Sequence, residues 1–144
     1  MEIIATNRKA TFNYHIFETY EAGIELKGME VKSIRNHKVN ISESFGRVEN
    51  NEIFLYNMNV SPYEYSGGFR VDPLRKRKLL LHRDEIDKII GKVSQKGFTI
   101  IPTKVYLKNG FVKVEIAIAK GKKTHDKRES IKKREIERRI KRYL

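Results

Sequence analysis

The side chains of this chain best suited to acid–base or metal chemistry are four histidines, His15, His37, His82 and His125. No two of them stand at metal-ligand spacing, and no Asp/Glu cluster completes a set, so they read as scattered surface or helix-end residues. The chain has no cysteine, which excludes a thiol nucleophile, a zinc knuckle, an iron–sulfur site and a disulfide frame. Neither G-x-x-x-x-G-K-[ST] nor G-x-G-x-x-G occurs, and Gly121-Lys122-Lys123 lacks the preceding loop of a phosphate-binding turn. Nothing points to a Ser–His–Asp set. Glu21 and Glu25 share one face of a strand pattern, where carboxylates are usually solvated. The expectation is a protein that is not an enzyme and holds no metal or other cofactor.

The chemistry that stands out is charge. Among 144 residues there are 31 Lys/Arg and 18 Asp/Glu, a formal net charge of +13. Residues 120–144 hold twelve of those cations and four of the carboxylates, a net of +8. A second run, Arg75-Lys76-Arg77-Lys78, puts four cations side by side, which repel one another unless a polyanion compensates them. A folded body with a cationic extension fits a nucleic-acid partner. Tyr14, Tyr20, Tyr63 and Tyr65 could stack on bases, although aromatics on strands more often pack into a core.

These groups need a scaffold, and the apolar pattern predicts one built mainly of strands. Residues 6–11 read as an irregular basic lead-in. Residues 12–18 alternate, with Phe12, Tyr14 and Ile16 on one face. Residues 20–27 alternate more cleanly, with Tyr20, Ala22, Ile24 and Leu26 inward. A short helix is predicted around 29–36, with Val31 and Ile34 on one side. Strands follow over 39–49 and 52–60 around Asn50-Asn51, then a long loop over 61–78 containing Pro62, Gly67-Gly68 and Pro73. Asp84, Glu85 and Asp87 open the next helix, where the dipole favours negative charge. Its apolar stripe is Ile86, Ile89, Ile90 and Val93. Strands over 98–107 and 111–118 flank Asn109-Gly110, a two-residue hairpin turn. Six strands and two helices predict an OB-like closed antiparallel β-barrel flanked by short helices, with a basic C-terminal tail.

The tail has its own pattern. Asp126 and Glu129 form a capping-box spacing. Glu129–Lys133, Glu135–Arg139 and Glu137–Lys141 are i, i+4 pairs in the favourable order, each stabilising a helix by roughly 0.2–0.5 kcal/mol. Ile136, Ile140, Tyr143 and Leu144 share a narrow face, with Ile131 off it. Helix nucleation is costly, so the tail is expected to be disordered when free and helical when docked. The domain reading is therefore a body over 1–119 and a tail over 120–144.

Six segments, in order, resemble the SmpB (SsrA-binding protein) family. They are NRKA (Asn7–Ala10), ETYEAGIELKGMEVKSIR (Glu18–Arg35), IFLYNMNVSPYEY (Ile53–Tyr65), DPLRKRKLLLHRDEIDKIIGKV (Asp72–Val93), KGFTIIPTKVYLKNGFVKVE (Lys96–Glu115) and AKGKKTHDKRE (Ala119–Glu129). The resemblance implies an OB-like body that binds the tRNA-like domain of tmRNA. It implies entry with that RNA into ribosomes stalled on mRNA lacking a stop codon, in trans-translation. The tail would lie in the decoding site and the empty mRNA channel.

Carried over by position, the RNA-binding candidates are Asn7, Arg8, Glu21 and Leu80, with His82 where many relatives have asparagine. Arg75, Lys76, Arg77 and Lys78 join them from the charge pattern. Gly121, Lys122, Lys123, His125, Asp126, Lys127 and Arg128 match the segment facing the decoding centre, and Ile136 stands where many relatives carry tryptophan. The resemblance also assigns Glu21 a role that composition did not. It would accept hydrogen bonds from base edges or 2′-hydroxyls, or orient a neighbouring cation.

The competing reading is an OB-type ribosomal or ribosome-assembly protein. A nuclease would need a carboxylate cluster that the sequence lacks, and a membrane-surface tail would show a broad apolar face. No apolar run approaches the roughly 18 residues that span a bilayer, and Met1-Glu2-Ile3-Ile4-Ala5 is not a signal-peptide start. The expectation is a cytoplasmic monomer.

Overall fold

The computed structural model describes residues 1–62, 71–122 and 131–138. Nine strands and three helices run β1 (Glu2–Thr6), α1 (Arg8–Asn13), β2 (Tyr14–Ile24), α2 (Gly28–Arg35), β3 (Val39–Asn40), β4 (Phe45–Glu49), β5 (Glu52–Tyr56), β6 (Asn59–Val60), β7 (Arg77–Leu80), α3 (Arg83–Val93), β8 (Phe98–Lys108) and β9 (Phe111–Gly121). Residues 131–138 are also helical.

Six strands close a ring. The order β8-β4-β5-β7-β2-β9 returns to β8 through the β8–β9 hairpin, every pairing is antiparallel, and β1 adds to β8 outside the ring. This is the closed barrel predicted from the strand pattern. Period-2 alternation sends Ala22, Ile24, Ile53, Leu55, Leu79, Ile100, Val114, Ile116 and Ile118 into one core. The β4–β8 seam is narrow. It rests on Gly46 opposite Ile100, and a Cβ on Gly46 would lie 2.6 Å from the Ile100 Cγ2. Helix α3 adds Ile86 and Ile89 to the core, and α2 adds Ile34. Helix α1 packs on the outside, where Ala10 meets Ile101, Ala117 and Ala119, residues small enough on β9 to let a helix sit close.

Asn50-Asn51 and Asn109-Gly110 take positive φ at both positions, as their hairpin turns require. Several boundaries differ from the sequence pattern. The lead-in is not irregular: it supplies β1 and α1. The middle of the alternations over 12–18 and 20–27 forms one strand, β2, bent by a bulge between Ile16 and Glu18, while Phe12 belongs to α1. The basic run does not end a loop, because Arg77 and Lys78 already belong to β7. Strand β9 continues through Gly121, which pairs with Tyr14. Lys122 then donates its N–H to the Asn13 carbonyl at 2.8 Å. The body thus runs past the 119/120 boundary. The tail helix, residues 131–138, touches α1 through Arg134, whose guanidinium lies 5.3 Å from the Phe12 ring centroid.

Candidate nucleic-acid interface

The alternation that fills the core also chooses which side chains face out. On β2, Ala22 and Ile24 are buried, so Glu21 and Gly23 point outward. On β7, Leu79 is buried and Leu80 stands 49% exposed. Register brings these together, with Gly23 opposite Leu80 on one side and Lys113 on the other. A Cβ on Gly23 would lie 3.2 Å from the Leu80 Cβ, so the bare glycine gives Leu80 room. The result is one outward surface across β7, β2, β9 and β8.

Glu21 is its anchor. The Tyr106 hydroxyl donates to Glu21 Oε1 at 2.5 Å, and Lys108 Nζ donates to Oε1 and Oε2 at 3.2 and 3.4 Å. The Tyr106 hydrogen bond, then that from Lys108, holds the Glu21 carboxyl below its ordinary range. Burial, then the Glu21 contact, pushes the Tyr106 phenol up. Glu21 therefore stays ionised and holds Lys108 in place, while its side chain remains 40% exposed. A fixed carboxylate among Lys104, Lys108 and Lys113 contributes nothing to general phosphate attraction. It can accept from base amino groups or a 2′-hydroxyl while the lysines meet phosphates. Exposed Leu80 adds an apolar side chain to the same surface.

The basic run behaves differently from its sequence reading. Arg77 is 1% exposed. Its Nε donates to Glu30 at 2.6 Å, Nη1 to the Met58 carbonyl at 2.6 Å and Nη2 to the Pro73 carbonyl at 3.2 Å. Arg75 Nη2 donates to the same Glu30 at 2.5 Å. Burial opposes the Glu30 charge, but hydrogen bonds from Arg75, the Lys27 N–H and Arg77 outweigh it and hold its carboxyl low. Arg77 is thus corrected from an RNA contact to a buried structural pair, while Arg75, 26% exposed, is drawn onto the same carboxylate from the edge. Lys76 and Lys78 point outward, with Lys76 Nζ 2.8 Å from Glu49 and Lys78 Nζ 4.0 Å from Glu52. Three carboxylates, Glu30, Glu49 and Glu52, thus serve the four cations of the run, with Arg75 and Arg77 sharing Glu30.

Asn7 is corrected in the same way. It is 8% exposed, and its amide donates to the Ile41 and Pro102 carbonyls at 3.3 and 2.9 Å. It pins the start of α1 and leaves exposed Arg8, its neighbour, as the contact candidate of the lead-in. His82 is the N-cap residue of α3, and Glu85 accepts its backbone N–H at 3.2 Å. Tyr14 packs beside Ala10, Ala117 and Ala119. In the tail, Gly121 ends β9, Lys122 Nζ donates to the Thr11 carbonyl at 3.0 Å, and Ile136 is 57% exposed. Lys123, His125, Asp126, Lys127 and Arg128 lie outside the described residues, as do Tyr63 and Tyr65.

Among the described residues no group of three or more His, Asp or Glu is placed to hold a metal ion. The partners of Glu21 escaped sequence reasoning. Tyr106 and Lys108 are 85 and 87 residues away in the chain. Their only local signal was a Tyr-x-Lys spacing that puts both on one strand face.

A sequence profile described as SmpB protein matches residues 4–144. The chain belongs to the SmpB family. An SsrA-binding protein of Caldanaerobacter subterraneus subsp. tengcongensis is 64% identical over 140 residues, covering 97% of this chain and 89% of that one. An SsrA-binding protein of Geobacillus kaustophilus is 56% identical over 141 residues, with 98% and 91% covered. A solved chain from work on tmRNA-SmpB and its journey to the center of the bacterial ribosome superposes with a TM-score of 0.72 at 48% identity. The superposition covers 88% of this chain and 93% of that one. The SmpB family assignment thus agrees with the six ordered segments and with the closed barrel.

Proposed function

We propose that this SmpB-family protein binds tmRNA and delivers it to stalled ribosomes for trans-translation. The observation that carries the proposal is the match to a tmRNA-SmpB chain at 48% identity over nearly the whole body. The barrel holds the tRNA-like domain through the outward surface organised by Glu21, with Leu80, Lys108 and Lys113. The tail occupies the decoding site and the empty mRNA channel, ordering there from a marginal helix. The protein performs no chemical step itself, works as a monomer and acts in the cytoplasm. Consistent with that setting, no helix among the described residues is long and apolar enough to cross a membrane.

Titration of full-length protein against tmRNA and an unrelated RNA hairpin tests this. Wild type should prefer tmRNA. Glu21→Ala should lose tmRNA affinity more than hairpin affinity, because a carboxylate adds nothing to nonspecific attraction. Equal loss on both RNAs would remove the specificity role. Equal wild-type affinity for tmRNA and ribosomal RNA fragments would favour a ribosomal or assembly protein instead.

A further inference from the structure

Two aromatic side chains stand exposed among the described residues, Phe17 at 55% and Phe111 at 68%. Phe17 leans on the Phe98 ring, edge-on with centroids 5.2 Å apart. Among the described residues no other ring packs on Phe111. A lone exposed apolar side chain is ordinary, so the place of Phe111 matters more than its exposure. Val112, Val114 and Ile116 enter the core, which turns Phe111, Lys113 and Glu115 outward along β9. Register sets Glu115 beside Glu21 and Lys113 beside Gly23. Phe111 is the next outward position on that strand, at the hairpin end of the surface that Glu21 anchors.

The backbone under Phe111 is held. Asn109 and Gly110 take the positive φ of their tight turn, and Arg35 Nη2, from the last residue of α2, donates to the Gly110 carbonyl at 3.1 Å. Lys108 pairs with Phe111 across the hairpin, and its Nζ is drawn to Glu21 at 3.2 Å. Lys113 Nζ lies 5.9 Å from the Phe111 centroid, the outer limit of a cation–π contact, so the ring stays open. A fixed ring between two lysines is the arrangement that holds an unpaired base, with the base on the ring and phosphates on the cations. Paired RNA keeps its base faces inside the stack and offers the ring nothing. A protein partner fits less well, because the centres of protein interfaces gather several apolar side chains and are depleted of lysine.

We propose that Phe111 is a stacking platform at the hairpin end of the Glu21 surface, where its ring takes one unpaired base of tmRNA and Lys108 and Lys113 meet the flanking phosphates. The two ends of the surface then select by different means. Glu21 accepts hydrogen bonds from a base edge or a 2′-hydroxyl, and Phe111 requires an open base face. The platform adds discrimination against paired RNA, which the lysines alone would bind. This rests on the function proposed above.

The test uses the full chain and its Phe111→Ala, Phe111→Leu and Phe111→Trp forms. Melting temperature checks the fold, and so exposed a ring should be replaceable without loss. Each protein is titrated against tmRNA and against a blunt RNA duplex that has no unpaired base. Phe111→Ala should weaken tmRNA binding roughly tenfold, the size of one base–aromatic stack, and leave duplex binding within about twofold. Its salt slope on tmRNA should match the wild type, since no charge is removed. Phe111→Leu keeps apolar bulk without a ring and should not restore binding. Phe111→Trp should bind tmRNA within about twofold of wild type. The chain has no other tryptophan, so the emission of that variant reports the contact and should be quenched by tmRNA and not by the duplex. An unchanged tmRNA affinity for Phe111→Ala overturns the proposal. So does an equal loss on the duplex, full binding by Phe111→Leu, or emission that tmRNA leaves unquenched. Failure of the wild type to prefer tmRNA over an unrelated hairpin would count against the function proposed above, whereas the platform is read from wild type against Phe111→Ala on tmRNA itself.

Discussion

The chain has two basic stretches of similar composition and opposite fate. Arg75 to Lys78 leads into a strand, and its cations sort: buried Arg77 and half-buried Arg75 close on one buried Glu30, and two lysines turn outward beside Glu49 and Glu52. The described part of the tail, residues 131–138, is a helix whose residues are all exposed, Ile131 and Ile136 among them. The lesson is that a run of cations says little about its partner until the element that carries it is known. A strand inside a barrel delivers alternate cations to internal carboxylates. A helix with no core to join leaves them for an external polyanion.

The largest expected effect separates the two regions by function. Truncation after Lys122, beyond the last described backbone bond of the body, should leave tmRNA binding largely intact. It should abolish peptide tagging on ribosomes stalled on truncated mRNA. Normal tagging by the truncated protein would erase the distinction drawn for the tail.

Next is the buried pair. Arg77→Ala leaves Glu30 buried with part of its compensation gone and should cost about 3–5 kcal/mol in urea unfolding. Substituting the tail cations Lys132 and Lys133 with Ala should change stability by less than about 0.5 kcal/mol. If Arg77→Ala were equally harmless, the internal role of the run would be wrong.

The Glu30 carboxyl also sets a pH dependence. Its folded pKa lies below the ordinary value of 4.5. The unfolded chain therefore binds the proton first as pH falls, and stability is lost. Stability from this group should hold from neutrality down to about pH 4.5 and then fall with acid. Glu30→Gln, although destabilised at neutral pH, should show a shallower acid limb in a series of unfolding curves.

The smallest effect is on salt dependence. Arg75→Ala/Arg77→Ala should leave the slope of log K against log salt for tmRNA unchanged wherever the protein remains folded. Lys108→Ala/Lys113→Ala, on the Glu21 surface, should lower it by roughly 1–2. A slope that drops for the arginines instead would return that run to the RNA.

Much of this protein was written in local pattern. The hairpin at Asn109-Gly110, the turn at Asn50-Asn51, the stripe of α3 and the alternation of β2 and β9 depend on neighbours within a few residues, so periodicity and turn chemistry determine them. The six ordered segments determined the family, because their order and residues survive without any structure. What only the tertiary structure decided is who meets whom across the barrel. Asn7 is internal because β8 and the segment around Ile41 close over it, and Arg77 is internal because Glu30 on α2 waits beneath β7. Glu21 becomes an ordered acceptor because Tyr106 and Lys108 arrive from a strand more than 80 residues away. Composition could not tell these from solvated charges, because pairing between distant strands depends on register, and register is fixed by packing the whole ring at once.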